Sequence, residues 1–237
     1  ATIGDVMDLT DENRILVKIG LDMLAHTQNY GMRALLRANN LEYKKLSTYH
    51  VGFVLGPCIN ASGRLDTALH AMRLLLSATE EEAEASASLL MKFNNERKAM
   101  TQENVDKAIE LVQRDLLNDR VLVVYLPECH ESIAGIVAGK VRERFYRPTF
   151  VLTDGKDEIK GSGRSIEEYS MYDEMVKCGK YLDKFGGHPM AAGLSLKKEN
   201  IGPFREAMNR NCTLDENDLT EKVKIDIVMP VDYATKE

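Results

Sequence analysis

The spacing of apolar residues changes character near residue 120. Upstream they recur at three- and four-residue intervals, the mark of helices. Downstream, short unbroken apolar runs alternate with amphipathic stretches. Within 13–38, Ile15, Leu16, Ile19, Leu21, Leu24, Met32, Leu35 and Leu36 keep helical spacing, with Asp11 and Asn29 as candidate N-caps. Residues 51–56 make a short apolar stretch closed by the turn signal Gly56-Pro57, and 58–66, polar and carrying Gly63, reads as a loop. Helical spacing returns over 67–76. Residues 79–117 then form one long helical pattern without Gly or Pro, opening on Thr79-Glu80-Glu81-Glu82, where Ser77 or Thr79 can cap and the acids suit a helix N-terminus. Its middle, 86–107, is polar for a core helix, as in helices that span between two domains.

The second half predicts an α/β unit. The continuous apolar run 121–126 reads as a strand buried on both faces. An amphipathic helix over 132–145, capped by Ser132, and a second buried strand over 149–152 follow, which implies a right-handed parallel crossover. Residues 158–164 read as a third strand, 172–182 as a helix, 192–196 as a strand, and 201–209 as a helix with Pro203 in its first turn. Residues 211–220 are acidic and polar, like a linker. The alternating segment 224–229, ending at Pro230, reads as a strand of a further domain, so the chain reads as part of a longer protein.

Composition narrows the class. At 237 residues, 44% hydrophobic and 29% charged, the chain is long enough for one large domain or two ordinary ones. No apolar run approaches the ~20 residues of a membrane span. The four cysteines, Cys58, Cys129, Cys178 and Cys212, include no C-x-x-C pair, which argues for reduced thiols in the cytoplasm and against a zinc or redox motif. The net charge of −6 excludes binding of nucleic acid through overall charge, so a polyanion must be met by a few placed Arg and Lys.

Two glycine-rich segments carry the strongest chemical signal. Lys160-Gly161-Ser162-Gly163-Arg164-Ser165 offers backbone N–H groups, two hydroxyls and a guanidinium, equipment for holding phosphate. Phe185-Gly186-Gly187-His188 adds close backbone approach and a titratable donor. The second reads as a loop. Weaker candidates are Asn60 and Arg64 in the Gly56–Asp66 segment, read locally as a capping loop, and Asp5, whose carboxylate suits a hard cation. His130 and Ser132 read first as a helix start.

Taken in order, these segments resemble the RecJ single-strand-DNA-specific exonuclease family of the DHH phosphoesterases. Ala1-Thr2-Ile3-Gly4-Asp5-Val6-Met7-Asp8-Leu9 looks like the last motif of the family's catalytic DHH domain. Gly56-Pro57-Cys58-Ile59-Asn60-Ala61-Ser62-Gly63-Arg64-Leu65-Asp66 is similar to a family signature, with Cys58 where many members carry Arg. Asn94-Asn95-Glu96-Arg97 falls in the connecting helix. His130-Glu131-Ser132-Ile133-Ala134-Gly135, Gly161-Ser162-Gly163-Arg164-Ser165 and Phe185-Gly186-Gly187-His188 match the DHH-associated substrate-binding domain.

The resemblance implies an α/β architecture. It comprises the end of a DHH domain (1–50), a signature loop and long interdomain helix (51–118), a DHH-associated domain with a mixed sheet (119–210), and a linker with the first strand of an OB-type domain (211–237). It implies 5′-to-3′ hydrolysis of single-stranded DNA in repair and recombination with two divalent metals, Mn2+ or Mg2+, of which Asp5 would ligate one. Ser162 and Arg164 would hold the 5′-terminal phosphate, and Arg64 would touch the strand backbone beside Asn60. Gly186, Gly187 and His188 would line the cleft at the scissile phosphate, with His188 as the catalytic residue. Single-stranded DNA is the implied partner, with single-stranded-DNA-binding protein and a helicase as further ones, and no membrane. The Asp-His-His motif of the superfamily does not occur in these 237 residues, so the chain alone is expected to be inactive. A DHH-type phosphodiesterase for oligonucleotides or cyclic dinucleotides, and a non-catalytic module like those of alanyl-tRNA synthetases, are the alternatives. The long polar helix and Gly63-Arg64-Leu65-Asp66 weigh against the first, and Asp5 against the second.

Overall fold

The computed structural model describes all residues except Ala1, Tyr43, Lys224, Asp226 and 234–237. The chain divides into two compact units, Ala1–Asn104 and Val105–Glu237.

The first unit is helical. Helices α1 (Asp11–Ala25) and α2 (Tyr30–Ala38) follow the predicted spacing. Asn29 caps α2, its side chain accepting a hydrogen bond from the Met32 amide at 2.9 Å, whereas α1 begins after Thr10 without a side-chain cap. The loop expected over 58–66 is instead helix α3 (Gly56–Leu65), continuing a π-helical turn, His50–Leu55. Pro57 sits in its first turn, where its missing N–H is no loss, and Cys58, Ala61 and Ser62 are buried along one face. Burial of that face outweighs the local loop signals. Helix α4 (Leu69–Leu76) packs against α2 so closely that a Cβ on Gly31 would collide with the Leu74 backbone. The core gathers Leu35, Leu55, Cys58, Leu74 and Leu90.

The long helix α5 (Glu80–Leu111) extends into a π-helical end, Val112–Leu116, and the boundary between the units falls inside it. Its start is a capping box: the Glu82 amide donates to Thr79 Oγ1 at 3.2 Å, and the Ala78 amide donates to the Glu82 carboxylate at 3.0 Å.

The second unit is built on a mixed five-stranded sheet in the order β1-β2-β3-β5-β4. Strands β1 (Leu122–Tyr125) and β2 (Thr149–Asp154) are parallel, joined through helix α6 (Glu131–Phe145), as the strand–helix–strand order requires. Strands β3 (Ile159–Arg164), β4 (Lys184–His188) and β5 (Ala191–Leu196) pair antiparallel, as does β2 with β3. On one face, Phe150, Leu152, Leu194 and Leu196 pack against Met171 and Met175 of α7 (Met171–Lys177) and Phe204 and Met208 of α8 (Ile201–Asn211). On the other face α6 lies over β2 and β3.

Three further expectations are corrected. The glycine-rich segment 185–188, read as a loop, is strand β4, because antiparallel pairing with β5 supplies backbone partners that local sequence does not show, whereas 159–164 is the third strand expected, β3. The cap of α6 is His130, whose Nδ1 accepts from the Ser132 amide, and not Ser132. The strand expected over 224–229 is absent at its described positions Ile225, Ile227, Val228 and Met229, and its other two residues, Lys224 and Asp226, lie outside the described residues. A strand needs a neighbour to satisfy its backbone, and among the described residues the one sheet is β1–β5.

Candidate nucleic-acid interface

Alternation along a strand sends successive side chains to opposite faces. In β3 this turns Gly161 and Gly163 toward the core and Lys160, Ser162 and Arg164 toward α6. A Cβ on Gly161 would come within 2.6 Å of Leu152 and 2.8 Å of Leu194, and one on Gly163 within 2.8 Å of Phe150. These two glycines therefore serve packing.

The antiparallel register carries the α6-side row across three strands. Ser162 pairs with Gly193, which pairs with Gly186. The flanking rows are Lys160–Ser195–Lys184 and Arg164–Ala191–His188. Gly193 and Gly186 are exposed. A Cβ on Gly186 would meet nothing within 4 Å, and one on Gly193 only the Gly161 carbonyl at 4.0 Å. Neither has positive φ; in this motif only Gly187 does, at 148°. Neither backbone conformation nor packing thus demands glycine at 186 or 193. What their absent side chains keep open is a smooth track over the sheet, a place where a ligand can touch backbone.

The track begins under the start of α6. Glu131, Ser132 and Ala134 of that helix, with Lys160, Ser162 and Gly193 of the sheet, line a cleft of about 380 Å³. The N-terminus of a 15-residue helix aims backbone N–H groups and the positive end of its dipole into this space. His130 orders the entrance, its Nδ1 lying 2.7 Å from Ser132 Oγ. The Lys160 ammonium pairs with Glu158 at 2.6 Å; that contact raises the lysine's pKa and lowers the glutamate's. Glu131 places one carboxylate on the rim, so selectivity for an anion rests on the N–H groups, hydroxyls and cations beside it.

Arg164 is held against the same helix. Its Nη1 donates to the Gly163 carbonyl at 2.8 Å, and its guanidinium lies over Gly135, where a Cβ would come within 2.9 Å of Nη2. The arginine's Cγ passes Gly139 one turn on. Two interior helix glycines four residues apart, each costing about 1 kcal/mol of helix propensity relative to Ala, make the channel for this side chain. That Gly-x-x-x-Gly spacing and the strand glycine Gly193 are the signals that sequence reading passed over. His188, at the end of β4, accepts the Met190 amide on Nδ1 at 3.3 Å, which leaves the ring proton on Nε2.

Ser162, Arg164, Gly186, Gly187 and His188 thus share one sheet of the second unit. Asn60, Arg64 and Asp5 belong to the first. Asn60 and Arg64, four residues apart on α3, share its exposed side, opposite the face that buries Cys58. Asp5 lies exposed in a turn over 2–6.

The family model for the DHHA1 domain matches residues 118–213. The single-stranded-DNA-specific exonuclease RecJ of Bacillus subtilis is 37% identical to this chain over the chain's whole length and 30% of its own. The same-named protein of Escherichia coli is 38% identical over 86% of the chain and 37% of its own length. The crystal structure of RecJ from Thermus thermophilus with Mg2+ superposes with a TM-score of 0.80 at 32% identity, over 88% of this chain and 32% of that one. Along its length the chain is similar to RecJ. It spans about a third of the length of the RecJ relatives it matches.

A RecJ structure bound to manganese also matches, with a TM-score of 0.75 at 32% identity over 88% of this chain and 52% of that one. In the present chain, among the described residues, no three His, Cys, Asp or Glu side chains gather to hold a metal ion. Asp5 supplies one carboxylate and does not by itself fit a two-metal site. Among the described residues no helix is long and apolar enough to cross a membrane.

Proposed function

We propose that this chain is the substrate-holding part of a cytoplasmic 5′-to-3′ single-stranded-DNA exonuclease of repair and recombination. The intact enzyme would hydrolyse phosphodiesters with two divalent metals, Mn2+ or Mg2+. The observation that carries this reading is the row Ser162–Gly193–Gly186, left open by glycines that nothing in the protein requires. In this reading the 5′-terminal phosphate sits at the start of α6, bonded by Ser162 and by the fork of Arg164, whose planar donors match phosphate oxygens. The next sugar-phosphate lies on Gly193 and Gly186, with Gly187 and His188 at the scissile bond and Nε2–H of His188 as the donor toward it. Asn60 and Arg64 touch the strand backbone, and Asp5 ligates one metal. Residues 1–50 would close the catalytic domain and 119–210 form the substrate-binding one, joined by 51–118. Residues 211–237 would lead into an OB-type domain. Single-stranded-DNA-binding protein and a helicase are the proposed partners.

The test is binding of 3′-labelled single strands, with and without a 5′ phosphate, to the wild type and to Arg164→Ala. The wild type is expected to prefer the phosphorylated end, and the variant to lose that preference. Equal binding of both ends by the wild type would remove the end-reading role of β3. The purified chain, offering one carboxylate to a metal, is expected to show no Mn2+- or Mg2+-dependent cleavage; measurable cleavage contradicts this.

A further inference from the structure

We propose that Tyr49 and Phe53 form a stacking platform in the first unit that takes bases of the bound single strand. The platform rests on the single-strand reading given above. It adds a place for the bases, because every residue so far given a role meets phosphate, sugar or metal.

Three observations carry it. First, the two rings stack on each other in the open. Their centroids lie 5.4 Å apart, with 22° between the ring planes. Tyr49 is 61% exposed and Phe53 72%, and among the described residues of the first unit no other Phe or Tyr is more than half exposed. Phe53, backed on one face by Tyr49, keeps its other face open. The exposed apolar residues of α1, by contrast, are the aliphatic Ile15, Leu16, Ile19 and Met23. Aromatic faces suit bases, since every base has a π-face, and in a duplex those faces are already covered.

Second, the pair is held in place. Tyr49 meets the His50 ring edge-on, at 6.0 Å between centroids and 79° between planes. His50 is fixed in turn, its Nδ1 accepting from the Ser47 amide at 3.0 Å. Both rings are mounted on a continuous helical rod over 48–65, in which the π-helical turn His50–Leu55 runs straight into α3. Rings so mounted lose little freedom when a ligand binds.

Third, the pair adjoins groups already assigned to the strand. Tyr49, Phe53 and Asn60, spaced four and seven residues apart, are exposed on the rod, whereas Leu55, Cys58, Ala61 and Ser62 are buried. At about 1.5 Å per residue, Asn60 stands about 10 Å along the rod from Phe53, the span of about three nucleotides at ~3.4 Å each. Gly52, next to Phe53 in the chain, lies beside the turn that carries Asp5: a Cβ on it would come 3.8 Å from Ile3 Cγ2.

The experiment measures binding of an oligothymidylate, and of an abasic strand of the same length with hydrogen in place of each base, to the purified chain across salt concentrations. Phe53→Ala is expected to weaken the oligothymidylate about 5- to 150-fold, the worth of one stacked base. The salt slope should stay the same, because no phosphate contact is lost, and so should binding of the abasic strand. The chain contains no tryptophan, so Phe53→Trp introduces a single fluorophore at the platform. It should bind like the wild type, its emission quenched by the oligothymidylate and not by the abasic strand. Wild-type affinity in Phe53→Ala, with the Phe53→Trp emission unmoved and the 5′-phosphate preference intact, would overturn the platform, assign the rings to a protein contact and leave the end pocket standing. Equal loss on both strands would mark a change of shape and overturn it too. Failure of the wild type to bind either strand would overturn the single-strand reading itself, and the platform with it.

Discussion

Placing alanine at Gly186 or Gly193 should make the protein more stable and its grip on single strands weaker. At Gly186 the added methyl has no protein atom within 4 Å, and at Gly193 only a carbonyl at 4.0 Å. Both backbones are in regions that any residue adopts. Alanine therefore costs nothing in the folded state and narrows the unfolded ensemble, which stabilises by about 0.4–1 kcal/mol. At ~2–4 °C per kcal/mol for a chain of this size, Tm should rise by about 1–4 °C. A ligand lying on the track meets that methyl as overpacking, which costs about 1–3 kcal/mol, or about 5- to 150-fold in Kd. The assays are thermal melting and fluorescence anisotropy of a labelled single strand on the same preparations. Gly163→Ala is the control with opposite logic. Its methyl would press within 2.8 Å of Phe150, so it should lose about 1–3 kcal/mol of stability. Alanine variants at 186 and 193 that bind like the wild type would refute the track. A fall in Tm there would refute the claim that packing leaves these positions open.

Gly135→Ala is expected to abolish the 5′-phosphate preference as Arg164→Ala does, because its Cβ displaces the guanidinium; retained preference in the end-binding assay would show that Arg164 is not positioned by α6. Asn209→Ala should cost about 1–3 kcal/mol in urea unfolding. The Asn209 side chain accepts from the Arg120 and Val121 amides at 2.8 and 3.0 Å and donates to the Val121 carbonyl at 2.9 Å, closing the edge of β1, and its loss leaves those groups unpaired. Burial pushes the Cys129 thiol up to about 11 from an ordinary 9.0. The unfolded chain therefore loses this proton first, and stability should fall as pH rises from 9 through 11, with Cys129→Ser flattening that limb in pH-dependent melts. An unchanged limb in the variant would assign the loss to other groups.

Much of the element order was legible because it follows from periodicity. Helices α1, α2 and α5, the capping box at Thr79, and the buried strands β1 and β2 with their crossover all follow from apolar spacing and local capping chemistry. The misread segments were those where distant partners overrule local signals. Gly56-Pro57 and Gly63 mark a turn in isolation, yet the buried face of Cys58, Ala61 and Ser62 draws 56–65 into a helix, which sets Asn60 and Arg64 on one exposed side. Gly186 and Gly187 look flexible in the chain, yet they are strand residues, their backbones held by pairing with Gly193 and Ala192 of β5.

Residue types alone specified the chemistry: a serine, an arginine and a histidine among glycines are equipment for phosphate wherever they meet. Their meeting is a matter of register. Only the pairing of β3 with β5 and β4 puts Ser162, Gly193 and Gly186 in one row and Arg164 and His188 in the next, and only α6 overhead turns that row into a cleft. The sequence determines which groups are available, because that is written in side chains and short-range spacing. The tertiary structure decides which face they share and which glycines stay uncovered, because strand alternation and register are fixed by contacts that no local window contains.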